Sequence, residues 1–354
     1  MRKKFVALLT AVLLLLSLGA CKTKTEYYEK IGFAMGSVVT IRIYGSQQAQ
    51  QIAQDVLTYI NETDNLISAN IADSDVYKIN ESEKGQVVSR DTFNLIGDCL
   101  SVCNTTGNVL DITIGAVSEL WGFDSENPTL PDANSLADAL QTVNQQDLLL
   151  TEERLTVNKK EGQKLDLGAF GKGIACTSAL PALQREFSPA VLSVGGTILL
   201  YGNHPDEDHW TVGVRDPHGT ADDYCATLAL RTQGNGGKLV VSTSGNYEKT
   251  VEKDGKTYHH ILDKTTGMPV ENDLLGVTVV AEGGLVSDAL STVLYIHGLT
   301  QQSLQVLRDY RVGAVFLCKD GTILVSDSLA DKITVTDDTW TLGDLEDAIA
   351  NTSR

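Results

Sequence analysis

The residues best suited to chemistry in this 354-residue chain lie in a few glycine-rich turns with hydroxyls or carboxylates beside them. Asp166-Leu167-Gly168-Ala169-Phe170-Gly171-Lys172-Gly173 reads as a strand end turning into a helix. Backbone N–H groups at such a turn face an anion, the helix dipole favours it and Lys172 adds a full positive charge, so a pyrophosphate would fit. The spacing matches neither the Walker loop nor the Rossmann fingerprint, and a tight turn with a surface lysine accounts for the same residues. Further on, Ser287-Asp288-Ala289-Leu290-Ser291-Thr292 opens an apolar helix that ends near His297-Gly298. Positions i and i+4 share a helix face, which puts the Asp288 carboxylate and the Thr292 hydroxyl together as hard oxygen ligands suited to Mg. On spacing alone a structural reading competes: Asp288 caps the helix and Thr292 bonds back to the preceding turn.

Two further clusters are less specific. Ser242-Thr243-Ser244-Gly245-Asn246-Tyr247 ends a strand in hydroxyls, which either serve a site or simply close a turn. His259-His260-Ile261-Leu262-Asp263 precedes Lys264-Thr265-Thr266-Gly267. Strand alternation puts the two histidines on opposite faces, so they do not share one metal, although one of them can face a site.

Short elements must position these groups. Residues 36–44 alternate like a strand, and 47–65 then show helical spacing through Ile52, Val56 and Ile60, continuing to Leu66. A second helix is predicted over 91–105 with Asp91 as N-cap, and a third over 136–143. Strands are expected at 148–157, 190–200, 210–215, 226–230, 239–242, 276–280, 314–318 and 322–326, with helices at 168–187 and 284–298 between them. This mixed order argues an α+β fold of layered sheets and helices over a regular βαβ repeat.

The N-terminus bears on the compartment. Met1-Arg2-Lys3-Lys4 is basic, residues 5–18 are almost wholly apolar, and Leu18-Gly19-Ala20-Cys21 follows. This reads as a lipoprotein signal peptide over 1–20, with Cys21 as the acylated first residue of an exported chain; an ordinary secretory signal is the alternative. The polar residues 22–30 are expected to form a tether, leaving 31–354 as one folded body. Removing Arg2, Lys3 and Lys4 shifts the formal net charge from -18 to -21, and no basic stripe appears, so nucleic-acid binding is not expected. The five other cysteines show no CxxC spacing. Cys99 and Cys103, four apart on an apolar helical stretch, are expected as buried thiols, with pairing across one helical turn as the alternative.

Together these stretches resemble the ApbE family, the FAD:protein FMN transferases, from about Ile31 to beyond Thr292. The matching segments are Ala34-Met35-Gly36-Ser37, Leu110-Asp111-Ile112-Thr113, Leu120-Trp121-Gly122-Phe123, Asp166 to Gly173, Ser193-Val194-Gly195-Gly196, Trp210 to Val214 with Asp216-Pro217, Ser242 to Gly245, His260 to Asp263 with Thr266-Gly267, and Asp288 to Thr292. The resemblance implies a two-lobed fold with the active site between the lobes. It implies FAD contacts from Met35, Ser68, Ala69, Asn70, Asp111, Lys172 and His260. It also implies Mg held by the Ala169 backbone oxygen, Asp288 and Thr292, with His260 and Asp288 as catalytic residues and the hydroxyl proton passing either to His260 or to a nearby carboxylate. The implied reaction moves FMN from FAD to a Thr or Ser hydroxyl of another exported protein, an electron-transfer flavoprotein, and releases AMP. The chain departs from the family pattern at Thr177, where an Asp is usual, at Thr197, where Asn or Asp is frequent, and at Lys264, where a Pro is usual. A Mg-dependent FAD pyrophosphatase is the nearest alternative. A non-catalytic flavin-binding lipoprotein and a solute-binding lipoprotein are others, and neither has a use for the Asp288 and Thr292 face.

Overall fold

The computed structural model describes residues 24–220 and 222–352; residues 1–20, read above as a signal peptide, and Cys21 lie outside the described residues. A nine-stranded sheet runs through the body in the order Tyr27–Ala34, Ser37–Tyr44, Ala190–Val194, Thr197–Tyr201, Lys238–Gly245, Leu274–Ala281, Gly313–Cys318, Thr322–Val325 and Thr341–Asp344. Neighbours are antiparallel except the last pair, which is parallel, so the sheet is mixed.

Strand alternation divides the core between the two faces. Val279, Ala281, Ala314 and Phe316 point into a core shared with helices, whereas Val280, Val315 and Leu317 point the other way. A small antiparallel sheet of Trp210–Arg215, Tyr224–Leu230 and Ile333–Val335 covers that second face. On the helical face two cores form side by side. One gathers Ile96, Ile112, Phe170, Ile174, Leu290 and Phe316; the other gathers Ile41, Ile52, Val56, Ile60, Ala175 and Leu192. The helix Gly168–Ser178 lies on their seam, giving Phe170 and Ile174 to one and Ala175 and Cys176 to the other. The two expected lobes are therefore two helical cores on one continuous sheet. Each aliphatic side chain buried in them contributes on the order of 1.5–3 kcal/mol.

Several expected boundaries move. Residues 27–30, assigned to the tether, belong to the first strand of the sheet, because Tyr28 packs on the second core and every residue from Tyr27 pairs with the next strand. The predicted strand over 190–200 is a hairpin turning at Gly195, where φ is 56°. The strand over 148–157 is two short strands, Leu149–Thr151 and Thr156–Asn158, joined by a 3₁₀ turn. The helix expected over 168–187 stops at Ser178 and restarts at Leu180 with Pro181 in its first turn, the position proline favours. Ser89, and not Asp91, caps the helix Arg90–Thr105, its hydroxyl accepting the Thr92 N–H at 3.1 Å. Cys99 and Cys103 are buried free thiols, and burial pushes Cys103 up to about 12. Among the described residues no helix is long and apolar enough to cross a membrane.

Candidate active site

The helices Gly168–Ser178 and Gly284–His297 cross with glycine against glycine. A Cβ at Gly173 would overlap the Gly284 carbonyl, and one at Gly284 would overlap the Gly173 carbonyl, so the two backbones touch at a point no larger side chain permits. This close approach brings Asp288, in the second turn of its helix, to the neighbouring helix. The Gly173 N–H donates to Asp288 Oδ2 at 2.9 Å, and the Thr197 hydroxyl donates to Oδ1 at 3.2 Å. Asp288 therefore does not cap: its helix begins at Gly284 behind Gly283. The i−4 partner of the Gly173 N–H in a regular helix is the Ala169 carbonyl, so the Asp288 carboxylate, which takes that N–H, lies at the turn that carries this oxygen.

One turn after Asp288, the Thr292 hydroxyl lies 2.9 Å from Ser244 Oγ, which also meets Ser291 Oγ at 2.7 Å. Thr292 thus points across to the strand and does not bond back to its own helix. Thr197 reaches Ser242 Oγ at 3.3 Å, so both members of the Ser242 to Gly245 cluster that alternate toward this face join the same group of oxygens. Burial raises the Asp288 carboxyl above its ordinary value, against the opposing pull of Lys172, the Gly173 N–H and Thr197. A buried carboxylate still short of compensation, among hydroxyls and a helix carbonyl, is a donor set suited to a hard divalent cation, so these residues fit Mg.

Lys172 stands beside this group. Burial would lower its ammonium, but Asp288 and Glu248 outweigh that and hold it raised; the Glu248 carboxylate is 4.0 Å away. A Cβ at Gly195 would sit 2.9 Å from Ser37 Oγ and 3.3 Å from Lys172 Cδ, which places the lysine stem against the first hairpin. At the tip of that hairpin Met35 and Gly36 have φ of 55° and 64°. Gly36 tolerates this, whereas Met35 is held in a sparsely populated region with its N–H on Asp64 Oδ2 at 2.7 Å. A Cβ at Gly171 would be 3.1 Å from Met35 Cε and 3.8 Å from Ile67 Cδ1. Met35 and the end of the helix Ala49–Ile67, where Ser68, Ala69 and Asn70 follow, therefore flank the start of the Lys172 helix.

The two histidines separate as alternation requires. His259 bonds the Val270 carbonyl through Nε2 at 3.0 Å and packs edge-on against Tyr295, a structural role. His260 lies edge-on to Phe123, and its Nδ1 is buried without a hydrogen-bond partner. Burial, then the ammonium groups of Lys249 and Lys172, pull it down to about 3, so the ring is neutral at physiological pH. Asp111 is buried with both oxygens occupied. Oδ1 accepts the Thr113 N–H at 2.9 Å and its hydroxyl at 2.6 Å, and Oδ2 accepts the Gln145 N–H at 3.1 Å, with Lys264 Nζ 3.7 Å from Oδ2. Asp111 thus ties three loops together, and Lys264 places a cation beside it.

Asp64, Glu248 and the Gly173 and Gly284 pair carry no motif of their own, and the sequence reading missed their roles. Only the small residues at 173 and 284, each near a chemically suggestive segment, hinted at a close crossing.

The sequence profile of the ApbE family matches residues 35–316, and the chain belongs to that family. It is 28% identical over 352 residues to the FAD:protein FMN transferase of Treponema pallidum, covering 92% of this chain and 94% of that one. It is 29% identical to an FAD:protein FMN transferase of Klebsiella pneumoniae, covering 84% and 92%. Among solved structures, the ApbE protein of Thermotoga maritima superposes with a TM-score of 0.77 at 30% identity, over 86% of this chain and 98% of that one. The flavin transferase ApbE of Vibrio cholerae shares the fold, with a TM-score of 0.73 at 22% identity, over 87% and 99%.

Proposed function

We propose that this chain is a Mg-dependent FAD:protein FMN transferase that acts outside the cytoplasm, anchored through Cys21, on a Thr or Ser hydroxyl of an exported electron-transfer flavoprotein. The observation that carries this reading is the buried Asp288 carboxylate, held across the Gly173 and Gly284 crossing, one helical turn from Thr292 and beside Lys172. Relatives aligned over more than nine-tenths of their length and named for this activity support it.

In this reading Asp288, Thr292 and the Ala169 carbonyl hold Mg, which would stabilise charge building on the phosphate oxygens. Lys172, whose ammonium feels the Asp288 and Glu248 charges, would bind the pyrophosphate and neutralise part of its charge. Met35 and residues 68–70 line the flavin or adenine. The acceptor oxygen forms a bond to the FMN phosphorus, the bond from that phosphorus to the AMP oxygen breaks, and AMP leaves. The hydroxyl proton passes to His260, neutral and unpartnered at Nδ1, whose basicity rises when the pyrophosphate brings negative charge beside it.

The test uses the chain without its signal peptide, incubated with FAD and Mg with and without an acceptor domain. It follows AMP release and flavin fluorescence that survives denaturation. Fluorescent acceptor with AMP in equal amount is expected. AMP with free FMN and no labelled acceptor would make the chain an FAD pyrophosphatase, and tight FAD binding with neither product would rule out both reactions.

A further inference from the structure

Exposed apolar side chains of large size are concentrated on the first hairpin. Tyr27, Ile31, Phe33 and Val38 are 52%, 66%, 69% and 59% exposed, and all lie on one face of the strands Tyr27–Ala34 and Ser37–Tyr44. The register puts Phe33 opposite Val38, Ile31 opposite Thr40 and Tyr27 opposite Tyr44. The only charges on this face form a pair, Glu29 to Arg42 at 2.6 Å, with the Arg42 guanidinium also 5.5 Å from the Tyr27 ring centre. The opposite face of the hairpin packs into the second core through Tyr28, Val39 and Ile41, so the apolar outer face is not a by-product of a strand exposed on both sides. A strip of this kind on an acidic body, formally -21 after loss of residues 1–20, is a neutral window in a surface that otherwise repels anionic headgroups.

The position of the strip along the chain identifies its occupant. Tyr27 follows Cys21 by six residues, a span of at most about 22 Å when fully extended. A lipid on Cys21 therefore holds the start of this hairpin within that distance of the bilayer, whatever the rest of the body does. Tyrosine, arginine and phenylalanine side chains suit the boundary between headgroups and acyl chains.

We infer that the outer face of the hairpin, through Ile31, Phe33 and Val38 with Tyr27 at its edge, rests on the membrane surface and fixes the orientation of the anchored enzyme. The inference depends on the proposed acylation of Cys21. The hairpin tip carries Met35 and Ser37, so the docked hairpin also sets the distance of the Lys172 site from the bilayer and selects acceptors whose hydroxyl is presented close to the membrane.

The test adds a reporter tryptophan to the three native ones by Phe33→Trp, or by Leu342→Trp on the opposite edge strand of the same sheet, about 38 Å away at the usual strand spacing, and reads the quenching of each variant as its difference from the parent protein. Each mature lipidated protein is reconstituted into phosphatidylcholine vesicles containing brominated acyl chains. Acylation of Cys21 is read separately by mass spectrometry, and folding by a thermal melt. Strong quenching at position 33 with little at 342 is expected, and Ile31→Asp in the Phe33→Trp protein should reduce the quenching at least several-fold. Equal or absent quenching at both positions in acylated, folded protein overturns the inference. So does a shift of the position 33 emission on adding acceptor without vesicles, because the strip would then be an acceptor-docking face. Absence of acylation overturns it through the mass spectrum alone, and leaves the transferase test standing.

Discussion

The two sides of the site are prepared to different degrees. On the proposed metal side the Asp288 carboxylate, Thr197 and Ser242 form one run of hydrogen bonds, Ser244 and Thr292 join it through Ser291, whose hydroxyl donates to the Asp288 carbonyl, and the helices that carry it are locked backbone to backbone. On the proposed flavin side Met35 sits in a strained turn, Asn70 is exposed, and His260 Nδ1 is buried without a partner. Groups that must meet developing charge gain from being fixed beforehand, because no reorganisation is then needed during reaction. Groups that meet a large planar ligand can be left unsatisfied until it arrives.

The sharpest way to break the metal side is at the crossing. Gly173→Ala puts a methyl group against the Gly284 carbonyl, which cannot move without shifting the other helix. Overpacking of this kind costs about 1–3 kcal/mol or more. A clear drop in melting temperature is expected, with flavin transfer falling further than stability does. A Gly173→Ala protein that melts and transfers like the parent would show that the crossing is looser than it looks.

Asp288→Asn tests charge with shape conserved. The amide keeps an acceptor for the Gly173 N–H but loses the carboxylate. Transfer should fall on the order of 10²–10³-fold, the range for loss of one electrostatic group in a site. Burial raises the Asp288 carboxyl, so its ionised form weakens the fold above the ordinary carboxylate range, and the metal-free variant should melt no lower than the parent near neutral pH. Ligand linkage supplies the control: Mg should raise the melting temperature of the parent and leave that of the variant unchanged.

These residues also show what the sequence could disclose. Asp288 and Thr292 were legible because helix periodicity fixes i and i+4 on one face, and Ser242 to Gly245 because hydroxyls end a strand. The long helices were legible for the same reason, since Ile52, Val56 and Ile60 repeat at helical spacing and lie buried in the second core. Asp64, Glu248 and the partnership of Gly173 with Gly284 were not legible. Each acts on a residue far along the chain, 29 positions away for the Asp64 bond to Met35, and no local period encodes such a pairing. The split of 148–157 into two strands, and of 168–187 into two helices, was lost for a different reason: turns at Leu155 and Ala179 use residues that carry no turn signal, and Leu155 adopts a φ of 50°.

On the flavin side His260 gives a pH signature. Its folded value, about 3, lies below its ordinary value of 6.5, so the unfolded chain binds the proton first. Stability contributed by the neutral ring is present above about 6.5 and is lost as pH falls toward 3, at no more than about 1.4 kcal/mol per unit. His260→Phe should therefore flatten the loss of stability between pH 6 and pH 4, measured by denaturant unfolding. An unchanged slope would mean that the ring is already solvated in the native state.

The smallest expected effect concerns the strain at Met35. A two-residue hairpin turn with positive φ at both positions favours Asn-Gly, and this chain has Met35-Gly36. Met35→Asn relaxes the backbone, and a thermal melt should show unchanged or slightly higher stability, by up to about 1 kcal/mol. The Met35 side chain, which packs beside Gly171 at the head of the Lys172 helix, is lost in the same change. FAD affinity should fall while Mg still raises the melting temperature, because the Asp288 network is untouched. If FAD bound as well to the relaxed turn as to the strained one, the strain would have no part in holding the flavin, and the contrast between a finished metal side and an unfinished flavin side would rest on His260 and residues 68–70 alone.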